Sequence, residues 1–220
     1  SLSSITPSTL STELITNMTT QSVSDSLEMA TFGAGCFWCV EAIYELVEGI
    51  VHVESGYSGG YLEDPTYKEV ITGRTGHAEV ARIHFNPKVI NYDELLQILW
   101  HTHNPTTLNR QGPDVGTHYR SIAFYEFDEE KKIIEQEIKR LLENQIYPVI
   151  VTEIKKFEKF YLAENYHQDY KIKNPNNPYI WNVSVPRIEK FKSNYKKLYL
   201  DLLKNIPNHH HYPNQISEYQ

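Results

Sequence analysis

Residues 30–49 read ATFGAGCFWCVEAIYELVEG, and the spacing of their apolar side chains changes at Cys36. Residues 30–33 have the look of a short buried strand, and Gly33 and Gly35 punctuate the turn after it. Beyond that point Phe37, Val40, Ile43, Tyr44 and Val47 recur at intervals of three and four, the stripe of an amphipathic helix, with Gly49 as its stop. Strand, glycine turn and helix together place Cys36 at a helix start. The first N–H groups of a helix have no internal partners and carry the positive end of its dipole. That environment favours a thiolate, so the sequence predicts a nucleophilic cysteine with a lowered pKa. Position alone allows a second reading, a buried structural cysteine. Phe37 and Trp38 likewise read as core packing or as walls of an apolar pocket sized for a methyl or thioether group.

Working outward, residues 51–57 alternate like a strand that ends in Ser58-Gly59-Gly60. Residues 61–77 are loop-like, with one short helical stretch over 67–72. Residues 78–85 alternate again and Asn86-Pro87 closes them. Asn91 is placed to cap a helix through Leu95, Leu96, Ile98, Leu99 and Trp100. Residues 104–118 read as loop, 119–127 as a strand, and Asp128 as the cap of a charged amphipathic helix ending near Asn144. A short strand over 149–154 and a helix near 190–203 complete the pattern. Two successive strands with no long helix between them argue against a doubly wound parallel sheet. The expected class is α+β: a two-layer α/β sandwich, a mixed sheet with flanking helices and a ferredoxin-like core. Residues 1–29 read as a Ser/Thr-rich leader, 30–205 as one domain and 206–220 as a polar tail.

With 220 residues, 40% hydrophobic and 22% charged, the chain can bury a substantial core. A net charge of −7 with no polybasic stretch argues against nucleic acid or an anionic membrane as partner. The longest apolar runs are too short for a membrane helix. Both cysteines of the chain lie in one pentapeptide, too close together to staple a fold, which points to a reducing, cytoplasmic setting. Residues 1–29 contain no Lys or Arg, unlike secretory or mitochondrial targeting segments.

Seven motifs stand in order: GCFWC at 35–39, GYSGG at 56–60, PTY at 65–67, TGHAE at 75–79, HNP at 103–105, RQGPDVGTHYRS at 110–121 and AENYHQDY at 163–170. Together they resemble the type A peptide methionine sulfoxide reductases over roughly residues 30–175. The resemblance implies a catalytic domain in which Cys36 attacks a sulfoxide sulfur. Glu79, Tyr67 and Tyr119 would then surround the sulfoxide oxygen, with Asp114 nearby, and Phe37 and Trp38 would hold the ε-methyl. It implies reduction of the S-epimer of methionine sulfoxide, free or in proteins, through a Cys36 sulfenic acid. It further implies no metal and no bound cofactor, a monomer, and an external thiol reductant: thioredoxin, glutaredoxin or glutathione, or dithiothreitol. The chemistry agrees with these roles. A sulfoxide is a weak electrophile until its oxygen is hydrogen-bonded or protonated. Tyrosine hydroxyls donate, and a carboxyl donates only when neutral. Glu79 is therefore expected to have a raised pKa, through burial and a neighbouring carboxylate at Asp114. His77 and His118 are given no role as bases, and His167 and Asp169 are read as loop braces.

The chain departs from the family pattern after Cys39. Many members carry recycling cysteines in a glycine-rich C-terminal tail, whereas here residues 174–186 hold Tyr179, Ile180 and Trp181 and no cysteine follows. Two routes stay open: Cys39 resolves the sulfenic acid, or an external thiol reduces it directly. Two rival readings of the CxxC also stand. One is a general thiol-disulfide oxidoreductase. The other is a non-enzymatic zinc module drawing on His101, His103 or His209 to His211.

Overall fold

In the computed structural model, which describes residues 27–205 with side chains through Tyr195, strand β1 (Glu28–Ala34) runs through Gly35 into helix α1 (Phe37–Tyr44). There follow β2 (Ile50–Ser58), a single-turn helix α2 (Tyr67–Val70), β3 (Ala78–Phe85) and α3 (Tyr92–Thr102). A two-stranded ribbon of β4 (Arg110–Gln111) and β5 (Asp114–Val115) precedes β6 (Ser121–Tyr125) and α4 (Asp128–Glu143). The chain ends its described part with β7 (Glu153–Lys156), β8 (Phe160–Leu162), α5 (Tyr170–Lys173) and the long α6 (Val185–Asn205).

The main sheet has the order β7-β6-β1-β3-β2-β8. β1 is antiparallel to both β3 and β6, and β3 is antiparallel to β2. The inner four strands, joined as β1-α1-β2-β3-α3-β6, therefore form the split βαβ arrangement of a ferredoxin-like core. β8 extends one edge antiparallel to β2, and β7 extends the other parallel to β6, which makes the sheet mixed. The expected α+β sandwich is the observed fold.

β1 is buried from Ala30 to Ala34, so it lacks the polar alternation of a half-exposed strand. Gly33 is needed there: a Cβ would lie 2.6 Å from Ile122 Cγ2 on β6. Phe32, Val40, Ile43, Ile83, Phe85, Leu95, Leu96 and Leu99 fill the space between sheet and helices. Tyr44 adds a bond from its hydroxyl to Leu95 O at 2.9 Å, tying α1 to α3. α6 joins this core through buried Ile188 and Phe191. Each such side chain contributes about 1.5–3 kcal/mol on burial, enough to hold the C-terminal helix against α1 and α3.

Several boundaries differ from those read in the sequence. α6 begins at Val185, after a π-type turn over Ile180–Ser184, and not near residue 190. The strand expected over 149–154 is β7, because parallel pairing with β6 starts only at Glu153, while Val151 N–H bonds Pro105 O at 2.8 Å. Tyr119 precedes its strand, at the end of a 3-10 turn (Thr117–Tyr119). Asp128 is the first residue of α4 and not its cap; Glu130 Oε1 instead accepts from the N–H groups of Glu126 and Phe127. β1 begins at Glu28, within the expected leader. The rest of that leader through residue 26, and the tail after 205, lie outside the described residues. Among the described residues no helix is long and apolar enough to cross a membrane.

Candidate active site

Cys36 is the N-cap residue of α1, and its carbonyl accepts the N–H groups of Cys39 and Val40 at 3.1 and 3.4 Å. The preceding Gly35 turns at φ +85°, a conformation that favours glycine, and a Cβ there would meet Gln111 at 2.6 Å. The thiol is buried, 6% exposed, in an aromatic cluster with Phe37, Trp38, Tyr57, Tyr67, Tyr119 and Tyr179. Burial pushes it well above the ordinary thiol range, and a hydrogen bond to Cys39 and the charge of Glu79 add to the rise. The Trp38 N–H lowers it only in part. This reverses the expectation of a lowered Cys36 pKa: a helix of eight residues offers a weak dipole, and loss of water outweighs it.

The acidic member of the pair is Cys39. The hydrogen bond from Cys36 brings its pKa down to about 6 against the opposing effect of burial, with help from the charge of Arg187 and a hydrogen bond from Ser184. Ser184 Oγ lies 3.0 Å from Cys39 Sγ. Residues three apart on a helix share a face, so the two thiols titrate as a linked pair, with Cys36 pushed up and Cys39 pulled down.

Glu79 reaches the same place from β3, with 1% of its surface exposed. Its Oε1 accepts the N–H of Phe37 at 3.1 Å, one of the orphan amides at the start of α1. Its Oε2 is buried with no hydrogen-bond partner. Burial raises the carboxyl to about 8; the Phe37 N–H offsets this in part, and Asp114 and Cys39 add to it. At neutral pH the side chain is a carboxylic acid, with Oε2 the oxygen left to carry the proton.

Two hydroxyls complete the rim. Tyr67 opens α2, which a capping box between Thr66 and Glu69 stabilises, and its N–H donates to Glu164 Oε2 at 3.0 Å. Tyr119 is held by its N–H to Gly116 O at 3.0 Å. Burial first, then the charge of Glu79, raises both phenols above their ordinary range, so both are neutral donors. Among the described residues neither hydroxyl has a hydrogen-bond partner.

Trp38 stacks on Tyr170 at 3.7 Å with its ring nearly parallel, and meets Tyr179 edge-on at 5.7 Å. Its indole N–H donates to His167 Nδ1 at 3.0 Å. Phe37 packs on Tyr57, Tyr67 and His167. Asp114, on β5, accepts a hydrogen bond from the hydroxyl of Tyr179 and stands one residue back from the thiol. The structure thus brings Cys36, Phe37, Trp38, Cys39, Tyr67, Glu79 and Tyr119 into one cluster, with Asp114 behind Tyr179.

Sequence reasoning did not assign roles to Tyr179, Ser184, Arg187 or Glu164. Glu164 carries both the Tyr57 hydroxyl, at 2.9 Å, and the backbone of Tyr67. Only the AENYHQDY motif gave a signal for it. His77 spends its ring on Gly60 N–H and Leu62 O, in keeping with its having no part as a base. His103 bonds Leu99 O at 2.9 Å and Ser121 Oγ at 2.7 Å, so its nitrogens are committed away from the cysteines. His209 to His211 lie outside the described residues. Glu41, Glu45 and Asp169 are the one group of described side chains spaced to hold a metal ion, and the cysteines are not among them.

A buried thiol pair at a strand–helix junction, faced by a neutral carboxylic acid and two phenols, is the arrangement of a thiol-dependent oxidoreductase. The chain belongs to the peptide methionine sulfoxide reductase family, whose model matches residues 28–199. A relative from Sulfolobus acidocaldarius, peptide methionine sulfoxide reductase MsrA, is 52% identical over 169 residues, covering 77% of this chain and 96% of its own. The MsrA of Saccharolobus solfataricus is 50% identical over 178 residues, covering 81% and 98%. Among solved structures, Mxr1 from Saccharomyces cerevisiae in reduced form is similar with a TM-score of 0.64 at 36% identity, over 70% of this chain and 88% of that one.

Proposed function

We propose that the chain reduces the S-epimer of methionine sulfoxide, free or in proteins, through attack by Cys36 on the sulfoxide sulfur. The observation that carries this reading is Glu79: a buried neutral acid, pinned at one oxygen by the Phe37 N–H and unpartnered at the other, beside the thiol. Tyr67, Tyr119 and Glu79 take the sulfoxide oxygen, and Glu79 hands it a proton as the S–O bond is transferred. Asp114 tunes Glu79 by charge, while Phe37 and Trp38 wall the methyl group. A sulfoxide sulfur is pyramidal. Fixing its oxygen, its methyl and the direction of attack admits one hand only, and the family resemblance makes that hand S.

The raised Cys36 pKa fits this chemistry. Cys39 is the more acidic sulfur and takes the proton of Cys36, so the thiolate forms on Cys36 when a polarised sulfoxide is there to receive it. The step balances. The oxygen moves from the methionine sulfur to Cys36, methionine is reduced to the thioether, and Cys36 is oxidised by two electrons to a sulfenic acid. Cys39 then displaces the oxygen, which leaves as water, and a Cys36–Cys39 disulfide forms. Thioredoxin, or a glutaredoxin or glutathione system, restores the dithiol in the cytoplasm; the chain acts as a monomer without a bound cofactor. The neutral carboxyl of Glu79 and the phenols of Tyr67 and Tyr119 beside Cys36 have no use in disulfide exchange, which disfavours the rival reading of a general thiol-disulfide oxidoreductase.

A single turnover without reductant tests this. Each chain should release one methionine and carry the oxidation on Cys36. Methionine release by Cys36→Ser would end the proposal.

A further inference from the structure

Cys39 is fully buried, and the C-terminal helix reaches it. Ser184 closes the π-type turn before α6 and is itself fully buried, with its Oγ 3.0 Å from Cys39 Sγ. Arg187 follows three residues later, on the same side of the helix. Its guanidinium donates to the carbonyls of Ala34 and Thr102, the first at the end of β1, two residues before Cys36. A Cβ on Gly35 would lie 3.3 Å from its Nη1, which sets the charge at the base of the thiol pair. Both anchors of the guanidinium are neutral carbonyls, and among the described residues no carboxylate forms an ion pair with it. Among the described residues, the ionisable groups whose charges act around Cys39 include Cys36, Glu79, Asp114, Tyr179 and Arg187, and Arg187 is the cation of this group.

We infer that Ser184 and Arg187 are positioning residues that hold Cys39 as the resolving sulfur, and as the sulfur released when the disulfide is reduced. The inference rests on the proposed sulfenic acid at Cys36. Cys39 is the only other thiol in the chain. In the forward step its thiolate attacks the sulfur of Cys36–SOH, the S–S bond forms, and the departing hydroxide takes up a proton. On reduction an external thiolate attacks the sulfur of Cys36, the residue that keeps some exposed surface, and Cys39 departs with the electron pair of the S–S bond. Once the Cys36 thiol has been consumed, Ser184 and Arg187 are the groups left to stabilise the Cys39 thiolate, and a stabilised thiolate leaves faster and is more available to attack. The Ser184 hydrogen bond and the Arg187 charge therefore serve both halves of recycling.

The test is rapid-mix single turnover of the full chain on a blocked methionine sulfoxide, without reductant, between about pH 5 and pH 9. Methionine is assayed, and intact mass with a sulfenic-acid trap follows the sulfenic acid and the disulfide. Wild type should form methionine and then the disulfide. In Arg187→Met the disulfide step should slow about tenfold or more relative to methionine formation at neutral pH, with its pH midpoint raised by about one unit. Arg187→Lys should restore most of that loss. Ser184→Ala, a small change that keeps the helix docked, should slow the same step about threefold. An unchanged ratio and midpoint in both Arg187→Met and Ser184→Ala would overturn the inference. So would methionine formation by wild type with no Cys36–Cys39 disulfide. A wild-type chain that makes no methionine brings down the underlying chemistry, and the inference with it.

Discussion

Glu79 and Phe37 are joined side chain to backbone across the sheet–helix boundary, Oε1 accepting the amide at 3.1 Å while Oε2 has no partner. One bond orients the carboxyl, and the other oxygen is left for a ligand. Burial to about 8 keeps it protonated at neutral pH. The first step should then fall as pH rises through about 8, where Glu79 loses its proton, and fall again below about 6, where Cys39 is already protonated and cannot take the proton of Cys36. Glu79→Gln donates a hydrogen bond but no proton. It should lower the single-turnover rate by about a hundredfold or more and remove the alkaline fall. Rapid-quench assay of methionine across pH checks both.

The same shift has a consequence for stability. The folded chain holds a proton on Glu79 up to about 8, whereas an unfolded glutamate loses it near 4.5. Stability is therefore lost as pH rises through this window, by of the order of 5 kcal/mol in total for a shift of this size. Urea midpoints of wild type and Glu79→Gln should diverge across it, with the variant gaining relative stability towards high pH.

Tyr67 and Tyr119 are both neutral donors close to Glu79 and Cys36. Tyr67→Phe and Tyr119→Phe should each slow the first step roughly 10- to 100-fold, as loss of one donor to a developing oxyanion does. Methionine sulfoxide binding should change far less. A double variant with a rate near that of wild type would remove both residues from the step.

Two histidines make the fold sensitive to acid. Burial lowers His103 to about 3 and His167 to about 4, so both are neutral in the folded chain and charged at mild acidity in the unfolded one. Their contribution is present above the unfolded value near 6.5 and is lost as pH falls from there towards 3 to 4. The urea midpoint of His103→Asn should fall less than that of wild type between about pH 6.5 and pH 4.

Trp38 forms the partly open wall of the cluster, stacked on Tyr170 and edge-on to Tyr179. Trp38→Ala should raise KM for a blocked sulfoxide about tenfold or more while changing kcat less, and Trp38→Phe should recover most of the loss. Steady-state kinetics with a dithiol reductant measures the split.

Much of the core was legible in local pattern. The switch from strand to helix across Gly35 was plain because glycines and a change of apolar period coincide there. The direction of the Cys36 shift was not. The dipole argument sees the helix start but not the rings of Phe37, Tyr57 and Tyr119 that exclude water from it. The start of α6 was hidden by Pro186, which reads as a break, although proline is tolerated in a first helical turn. The β4–β5 ribbon is two residues a side, too short to alternate. Glu79, Tyr67 and Tyr119 were found through the motifs of the family, since one acidic strand residue or one tyrosine among 16 carries no signal of its own. Ser184 and Arg187 lie far along the chain from Cys39, and no local pattern links them. Only the packing of the last helix brings them to the sulfur.

The central claim is a stereospecific oxygen transfer to Cys36. The direct measurement is turnover of each separate epimer of a blocked methionine sulfoxide, by wild type and by Cys36→Ser, with a dithiol reductant present. The S-epimer should be converted fully to methionine by wild type, the R-epimer should be left intact, and Cys36→Ser should act on neither. Reduction of both epimers at similar rates, or conversion of the S-epimer by Cys36→Ser, would contradict the account.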